Sequence, residues 1–226
     1  DELYRPVEKR ITYQKAPSTV LTAITKMEYD EVGNLIKETD PLNRVTEKEY
    51  DALNRLTKII FPGSTSQQPI TNEIFYTSTG LKWKTIDELE RETETEYDAA
   101  GRASKVTGPP VDDGTGTDTE ERPVTETVHD DNGNVTKTLN PLGNEWDYEF
   151  DNRNRKITEQ QPGVKDGESE SEELVHPTLH WQYDAVGNVV ATTAARGNTT
   201  NSSYDAANRV IKVEAPAVSA PEGGTA

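Results

Sequence analysis

Residues 29–34 read Tyr-Asp-Glu-Val-Gly-Asn, and variants of this stretch recur along the whole chain. The clear copies are YDALNR at 50–55, YDAAGR at 97–102, YDAVGN at 183–188 and YDAANR at 204–209. More divergent copies are Phe75-Tyr76-Thr77 (with Gly80), HDDNGN at 129–134 and FDNRNR at 150–155. Residues 1–5 align with residues 51–55, so the pattern is already present at the first residue. Such a recurrence predicts a repeat architecture.

The spacing of the aromatic anchor residues groups the repeats in pairs. The anchors are 21 residues apart in each pair: Tyr29 and Tyr50, Tyr76 and Tyr97, His129 and Phe150, Tyr183 and Tyr204. Between the pairs the gaps are 26, 32 and 33 residues. We interpret the chain as one array of four dyads, approximately 1–50, 51–97, 98–150 and 151–226, with no separate domain. Each dyad has a fixed half of 21 residues and a half of variable length.

The residues before each anchor alternate in the manner of a β-strand. TEKEY at 46–50, TETEY at 93–97 and EWDYEF at 145–150 are rich in threonine and aromatic residues and have a period of two. The aspartate that follows can accept a hydrogen bond from the backbone N–H two residues on, and the later Gly or Asn tolerates a left-handed conformation. A second strand follows, such as LIKET at 35–39. Each copy of the motif therefore predicts the tip of a β-hairpin.

A second reversal of the chain follows each hairpin. In fixed halves it is short, as in DPLN at 40–43, DELE at 87–90 and NPLG at 140–143, and suits a type I turn with a following left-handed residue. In variable halves it is a long loop bounded by Pro or Gly, at 62–69, 108–123 and 162–177. The prediction is an all-β fold of tandem antiparallel β-hairpins in one large curved, spiralling sheet. Roughly sixteen strands would pair consecutively, with every Tyr-Asp turn along one edge.

The composition is acidic and low in apolar residues. The net charge is -17, from 41 acidic and 24 basic residues, which disfavours nucleic acid and anionic membrane surfaces as partners. Hydrophobic residues make up 31% of the chain, and no apolar run is long enough to insert in a membrane. Cysteine is absent, which excludes a disulfide framework, a thiol nucleophile and a zinc–thiolate site.

The repeated turns provide the candidate site residues. Fixed halves carry Gly in the fourth place after the turn begins, and variable halves carry Arg in the fifth. The Asp and Arg residues could form a ladder of pairs along the sheet edge, or the Arg residues could form a row that binds a carboxylate or phosphate. The candidate turn residues are Asp30, Gly33, Asp51, Arg55, Asp98, Arg102, Asp130, Gly133, Asp151, Arg155, Asp184, Gly187, Asp205 and Arg209.

Residues for catalysis or metal binding are scarce. His129 occupies an anchor position, and His176 and His180 are spaced as a helical metal pair although Pro177 disfavours a helix there. The acidic loops at 112–121 and 166–173 lack the known calcium-loop patterns. No nucleophile–base arrangement or nucleotide-binding glycine loop occurs. We therefore expect no catalytic residue, no metal site and no cofactor.

The recurring Tyr-Asp-x-x-Gly-Asn-Leu and Asp-Pro-Leu-Gly-like segments resemble the RHS repeats, also called YD repeats, over essentially the whole chain. Relatives include bacterial polymorphic toxins, the B and C components of Tc toxins, and the teneurins. The resemblance implies β-hairpins wound into a hollow shell that often encloses a C-terminal toxic domain. It also implies a secreted or bacterial cell-surface protein. Nothing in the chain matches the plug, the self-cleaving aspartate site or the toxin domain of that family.

Two functions are consistent with this sequence. The first is a non-catalytic structural module, a segment of shell that scaffolds or encapsulates another part of a larger protein, such as a C-terminal toxin. Its partners would be the rest of its own repeat array and the enclosed domain, and free sheet edges could also self-associate. The alternative is a cell-surface adhesion or carbohydrate-binding module that uses Trp83, Trp146 and Trp181 as stacking platforms.

Overall fold

The computed structural model describes residues 1–16, 19–63, 65, 68, 70–111, 121–165 and 174–216. Within these ranges all regular secondary structure is β-strand, which confirms the predicted all-β class. In chain order the strands are β1 (Glu8–Ala16), β2 (Thr19–Tyr29), β3 (Leu35–Thr39), β4 (Val45–Tyr50), β5 (Leu56–Ile60), β6 (Thr71–Tyr76), β7 (Lys82–Ile86), β8 (Glu92–Tyr97), β9 (Ala103–Thr107), β10 (Val124–His129), β11 (Val135–Leu139), β12 (Glu145–Phe150), β13 (Lys156–Gln160), β14 (Val164–Lys165), β15 (Leu174–Val175), β16 (Thr178–Tyr183), β17 (Val189–Thr193), β18 (Thr199–Tyr204) and β19 (Val210–Glu214).

Seventeen of these strands belong to one antiparallel sheet that is not closed, and β14 and β15 form a separate two-stranded ladder. By their contacts the residues group into two units, which comprise 1–101 with 106–122, and 102–105 with 123–226. Strand β9 contributes residues to both units, so each unit is described by itself. The predicted curvature of the sheet stays a prediction.

The first unit is a meander in which each of β1 to β7 pairs with the next strand along the chain. Its registers repeat from hairpin to hairpin. Glu28 lies opposite Lys37 and Tyr29 opposite Leu35, so one extra residue is accommodated beside the tyrosine. The same β-bulge occurs beside Tyr50. A bulge bends and twists its strand, and here it recurs at the anchor position of the repeat.

The second unit repeats this arrangement over β10 to β13 and β16 to β19, with a bulge beside each anchor. The loop predicted for residues 162–177 contains short strands that the sequence analysis did not expect. Val164 pairs with Val175 and Lys165 with Leu174. Gly163 makes this close approach possible, because a Cβ atom at Gly163 would lie 2.7 Å from the Cβ of Leu174. Most of the other predicted long loops, and the acidic residues 112, 113, 118, 120, 166, 168, 170, 172 and 173, lie outside the described residues.

The described residues have almost no buried core. Ala191 alone among them falls in the buried class, with 8% of its surface exposed. This follows from a single sheet layer, since both faces of every strand meet solvent and no second layer covers either face. Side-chain hydrogen bonds and ion pairs along the sheet must therefore provide much of what a core provides in a globular domain.

Candidate functional site

The Tyr-Asp turn is closed by the carboxylate of its aspartate. In the first complete copy, Asp30 Oδ1 accepts hydrogen bonds from the backbone N–H groups of Val32 (3.1 Å) and Asn34 (2.7 Å). Asp30 Oδ2 accepts a third from the Asn34 side chain at 2.8 Å. Gly33 has φ +100°, a left-handed value that is strained for residues with a side chain. Both carboxylate oxygens of the aspartate thus bind groups of its own turn.

In variable halves an arginine replaces the asparagine and binds the same carboxylate. Arg55 Nε donates to Asp51 Oδ2 at 2.7 Å, and the left-handed position is taken by Asn54 with φ 60°. The pairs Arg5–Asp1, Arg155–Asp151 and Arg209–Asp205 repeat this contact. The short turns at the opposite edge use it too, since Arg44 binds Asp40 and Arg91 binds Asp87. The carboxylate-closed turn therefore recurs at both ends of the hairpins, although Thr77, Asn140 and Ala194 take the place of the aspartate in three turns.

These hydrogen bonds hold the turn aspartates in their charged form. The Arg55 side chain is the main reason that the pKa of Asp51 is lowered. The corresponding bond from Arg155 lowers the pKa of Asp151 to about 2. At Asp30 partial desolvation raises the pKa, but the bonds from Asn34, Gly33 and Val32 outweigh it and the pKa is lowered. These carboxylates are therefore ionised acceptors at neutral pH.

From here on, a dyad means the two turns that follow one pair of anchors, a fixed half and then its variable half, so that the turns at Asp30 and Asp51 share a dyad although the approximate ranges given above divide them. A second set of bonds joins the two turns within such a dyad. The Asn34 side-chain amide donates to Asn54 Oδ1 at 3.1 Å. Asn134 donates to Asn154, and Asn188 to Asn208, both at 3.0 Å. The donor is the fifth residue of the fixed-half turn, and the acceptor is the left-handed residue of the variable-half turn. The asparagine at that position therefore supplies both the permitted backbone conformation and the acceptor.

A third set of bonds joins each dyad to the next. Arg5 Nη1 donates to the backbone carbonyl of Asp30 at 2.8 Å, and Arg155 Nη1 to that of Asp184 at 3.1 Å. Arg102 Nη1 makes the same bond to Asp130 at 2.8 Å.

The guanidinium groups also lie over the anchor rings of the following dyad. The distances to the ring centroids are 4.9 Å for Arg5 and Tyr29, 4.3 Å for Arg55 and Tyr76, and 4.5 Å for Arg155 and Tyr183. Only 23%, 29% and 24% of the side chains of Arg5, Arg55 and Arg155 are exposed. The geometry thus favours the ladder over a row of ligand-binding arginines, because these donors are already used within the chain. We call the three sets of bonds together the turn ladder.

The anchor tyrosines tie each hairpin to the preceding one. Their hydroxyl groups donate to a backbone carbonyl just after the previous Tyr-Asp turn. The bonds are Tyr29 to Pro6 (3.0 Å), Tyr50 to Leu35 (3.0 Å), Tyr76 to Leu56 (2.9 Å), Tyr97 to Lys82 (2.6 Å), Tyr183 to Lys156 (2.7 Å) and Tyr204 to Val189 (2.9 Å). His129 and Phe150 occupy two anchor positions without such a hydroxyl group.

Six strands carry a lysine at the same position of the repeat, seven residues after the first residue of a turn. This lysine row comprises Lys37, Lys58, Lys84, Lys105, Lys137 and Lys212. Three of its members bind a carboxylate of the next strand: Lys58 with Glu73 (2.8 Å), Lys84 with Glu92 (2.7 Å) and Lys137 with Glu145 (2.7 Å). In the first strand pair the charges are exchanged, since Glu8 lies opposite Lys26. Opposite charges directly across a strand pair stabilise the pairing and its register.

In the second dyad different residues occupy the positions of the turn ladder. Thr77 replaces the aspartate and Thr77 Oγ1 accepts from the Leu81 N–H at 3.0 Å. Leu81 and Gly101 stand where other dyads have the asparagine pair, and a Cβ atom at Gly101 would lie 3.5 Å from Leu81 Cδ1. An open groove of 780 Å³ lies here, lined by Leu81, Trp83, Tyr97, Gly101 and other residues. The indole of Trp83 is 40% exposed beside this groove.

His176 and His180 each contact a different residue. His176 Nδ1 is 3.3 Å from the carbonyl oxygen of Gln161, and His180 Nδ1 is 3.5 Å from Thr158 Oγ1. Across the described residues no group of three or more His, Asp or Glu side chains could hold a metal ion. Nor do those residues include a helix long and apolar enough to cross a membrane.

Arg122 is a structural residue that the sequence analysis missed. Its guanidinium donates to the carbonyls of Gly108 (2.8 Å) and Glu92 (3.2 Å) and to the Glu94 carboxylate (2.9 Å). It thereby fastens the end of one long loop to strand β8. The local pattern carries no sign of this, because Arg122 lies in an irregular segment and its partners are 14 to 30 residues away.

Comparison with known proteins identifies the repeat. The family model described as RHS Repeat matches three stretches, residues 29–66, 129–163 and 183–217. No curated protein sequence matches the chain.

Several solved structures have a similar fold. The crystal structure of TcdB2-TccC3-Cdc42 aligns with 90% of this chain at 17% identity and a TM-score of 0.58. That of TcdB2-TccC3-TEV aligns with 92% at 14% identity and a TM-score of 0.60. The Tc holotoxin pore of Photorhabdus luminescens aligns with 90% at 17% identity and a TM-score of 0.56. In each case the alignment covers only 11% of the other chain, so this chain spans about a tenth of their length.

Proposed function

Since three stretches of the chain match the RHS repeat model, we propose that it is one length of shell wall in a larger secreted bacterial protein. In that role it scaffolds or encapsulates another part of the same protein, such as a C-terminal toxin. Its four dyads act as a single array, and its turn aspartates and arginines act as fasteners between hairpins. The chain itself performs no catalysis.

The observation that carries this proposal is the way the sheet uses its polar groups. Arg5, Arg55 and Arg155 have their guanidinium groups directed to the same turn, to the next turn or to the next anchor ring. A site for chemistry needs a nucleophile, a base or an oxyanion donor that is free to meet a substrate. Here the repeated charged groups form hydrogen bonds and ring contacts within their own repeat and with neighbouring repeats. Such contacts stabilise a sheet that serves as a wall.

The lack of a core supports the same reading. A single layer with one buried residue among those described gains little from packing. Both faces of a shell wall have a function, so neither should be covered by a second layer of the same chain. A sheet stabilised along its edge and across its strands meets that requirement.

The proposal is tested in the full-length polypeptide that contains this segment. Arg55→Ala together with Arg155→Ala removes two links between dyads. If the segment is shell wall, limited proteolysis of the enclosed part should become at least severalfold faster. Arg44→Ala with Arg91→Ala is the matched control, because those arginines bind only within their own turns and are 63% and 56% exposed. Equal protection in both variants and the parent protein would count against encapsulation.

The groove in the second dyad favours a second candidate function, carbohydrate binding. It combines the exposed indole of Trp83 with the hydroxyl groups of Thr77 and Thr79. An aromatic face with a few polar groups suits a sugar ring, and 780 Å³ lies within the range of small-molecule sites. Trp83→Ala should abolish binding on a glycan array, whereas Trp146→Ala should retain it. An array without any signal would exclude this candidate.

A further inference from the structure

The second dyad departs from the repeat at five positions that lie together. Thr77 stands where the other fixed halves have aspartate, and Leu81 and Gly101 stand where the other dyads have asparagine. Phe75 occupies a position that is glutamate in four other repeats, and Trp83 one that is otherwise Ile, Val, Thr or Ser. Four of the five line the groove of 780 Å³, and the ring of Phe75 lies 6.1 Å from that of Trp83. The replacements are therefore clustered around one cavity.

These replacements give up contacts that the other dyads keep. Asn34 donates to Asn54 at 3.1 Å in the first dyad, and Leu81 and Gly101 cannot form the corresponding bond. The hydroxyl group of Thr77 takes the place of a charged carboxylate in closing its turn. Each hydrogen bond given up lowers the stability of the sheet. Departures of this kind from an otherwise consistent pattern are expected at functional sites.

We propose that the groove of the second dyad binds an uncharged pyranose sugar and rejects anionic sugars such as uronates. The inference rests on the carbohydrate-binding candidate of the proposed function and adds to it the class of sugar and the residues that select it. A pyranose ring has an apolar face of C–H groups and a rim of hydroxyl groups. It therefore needs space, an aromatic surface and polar groups at the margin of that surface.

The space lies where the other dyads have an asparagine pair. Gly101 has no side chain, and a Cβ atom there would already lie 3.5 Å from Leu81 Cδ1. The aromatic surface is the indole of Trp83, which is 40% exposed. The Phe75 ring is inclined at 57° to the indole and packs beside it. Phe75 thereby restricts the orientations that the indole can adopt.

Hydroxyl groups form part of the polar margin. Thr77 Oγ1 and Thr79 Oγ1 lie 2.8 Å apart and share one hydrogen bond. Tyr97 also lines the groove, and its hydroxyl group donates to the carbonyl of Lys82 at 2.6 Å. That donation leaves the phenolic oxygen as an acceptor for a sugar hydroxyl group.

Charge decides which sugar the groove accepts. Its lining includes the carboxylates of Glu96 and Asp98, and none of the described residues that line it is basic. Arg102 follows Gly101, but its Nη1 atom donates to the carbonyl of Asp130 at 2.8 Å. Carboxylates accept hydrogen bonds from sugar hydroxyl groups and repel the carboxylate of a uronate. The net charge of -17 adds to this repulsion.

A glycan array of matched pairs tests the selectivity. The probes are short oligomers of galactose, glucose and mannose, each paired with the uronate oligomer of the same linkage and length. We expect at least one neutral member to bind, and its uronate partner to bind at least about tenfold more weakly because of like-charge repulsion. Glu96→Lys should reduce that difference to about threefold or less, since a cation then replaces one of the two carboxylates. Circular dichroism verifies that the Glu96→Lys protein stays folded.

A double variant that restores the repeat separates loss of the site from loss of the fold. Leu81→Asn with Gly101→Asn rebuilds the asparagine pair, and asparagine adopts the left-handed conformation at the second position as Asn54 does. Calorimetric titration with the strongest neutral array ligand should show affinity reduced at least about tenfold, because the new side chains fill the groove. The unfolding midpoint should stay the same or rise, because a hydrogen bond is regained.

The third dyad offers the matched control. Asn134→Leu with Asn154→Gly makes the same two replacements there, but Thr136 stands at the position of Trp83. This variant should not gain a second binding site, because it lacks the aromatic surface. A second site in that variant would show that space alone suffices and would refute the role assigned to the indole.

Equal binding of neutral and uronate members would overturn the proposal and leave the broader carbohydrate candidate standing. Full affinity in the Leu81→Asn, Gly101→Asn variant would also overturn it, because the sugar would then bind elsewhere. An array without any signal would exclude the proposal and the carbohydrate candidate together. The protease experiment on the full-length polypeptide is independent of all these results, so the shell-wall function stands or falls separately.

Discussion

The anchor hydroxyl bond predicts a pair of substitutions with opposite effects. Tyr50 lies twenty residues after Asp30, the first residue of the preceding turn, and its hydroxyl group donates to the carbonyl of Leu35 at 3.0 Å. Phe150 stands at the same position relative to Asp130, and the corresponding carbonyl belongs to Val135. Tyr50→Phe should therefore remove a hydrogen bond, and Phe150→Tyr should create one.

The size of both effects follows from a partly exposed hydroxyl–carbonyl bond. Such a bond contributes a net free energy of about 1 kcal/mol. In a chain of this size 1 kcal/mol corresponds to roughly 2–4 °C in the unfolding midpoint. We expect Tyr50→Phe to lower the midpoint by that amount and Phe150→Tyr to raise it by that amount or somewhat less. Thermal unfolding followed by far-UV circular dichroism measures both.

Tyr13 provides the matched control. It is 52% exposed and lies in β1, outside the anchor positions, and its hydroxyl group makes no hydrogen bond among the described residues. Tyr13→Phe should therefore leave the midpoint unchanged. Because repeat arrays can unfold in stages, hydrogen exchange of the strands beside each substitution should accompany the melting curves. The reasoning is refuted if Tyr50→Phe and Tyr13→Phe are indistinguishable.

Three further predictions concern the turns. The pKa values of the turn aspartates, among them Asp51 and Asp151, are lowered in the folded chain. Their contribution to stability is therefore complete above the unfolded pKa near 3.8 and is lost as the pH falls towards about 2. The unfolding midpoint, measured from pH 6 to pH 2, should decrease mainly between these two values, and a flat profile would contradict this. Asn34→Ala and Asn54→Ala should each lower the free energy of unfolding. The double variant should lose less than the sum of the two, with a coupling of about 0.5–1 kcal/mol in a double-mutant cycle. Strict additivity would show that the 3.1 Å contact between Asn34 and Asn54 contributes nothing. Gly163→Ala should disrupt the short ladder of β14 and β15, because the added methyl group meets Leu174 at 2.7 Å. Faster amide exchange at residues 164, 165, 174 and 175 would report the disruption, whereas unchanged exchange would disprove the clash.

The turns were the most predictable part of this fold because their determinants are local. Asp30 and the backbone groups it binds lie within four residues of one another. The need for a left-handed residue at Gly33 or Asn54 is equally local, since few residue types adopt that conformation without strain. Alternation of residues in the flanking strands then indicated antiparallel hairpins. Local rules suffice wherever both partners of a contact are close in sequence.

The contacts between hairpins were not predictable from those rules. The sequence analysis gave a ladder of Asp–Arg pairs as one of two alternatives. Arg155 does bind Asp151, but its second acceptor is the carbonyl of Asp184, 29 residues on. That carbonyl is a backbone group, so no residue type in the sequence marks it. The lysine row could have been found by aligning the repeats and reading the seventh position after each turn. Its partners lie on the next strand, on the previous strand or on the same strand, and only the structure identifies them.

The changes within the array argue that these contacts are selected as pairs. Where Lys58 faces Glu73, the first strand pair has Glu8 facing Lys26, so both charges are exchanged together. Likewise, the second dyad has Leu81 and Gly101 in place of an asparagine pair, so that both polar partners are absent together. A single replacement would leave a polar group or a charge without its partner, at a cost that a sheet with almost no core cannot offset by packing. The links between hairpins, rather than any single turn, are therefore the contacts whose two partners change together along this array.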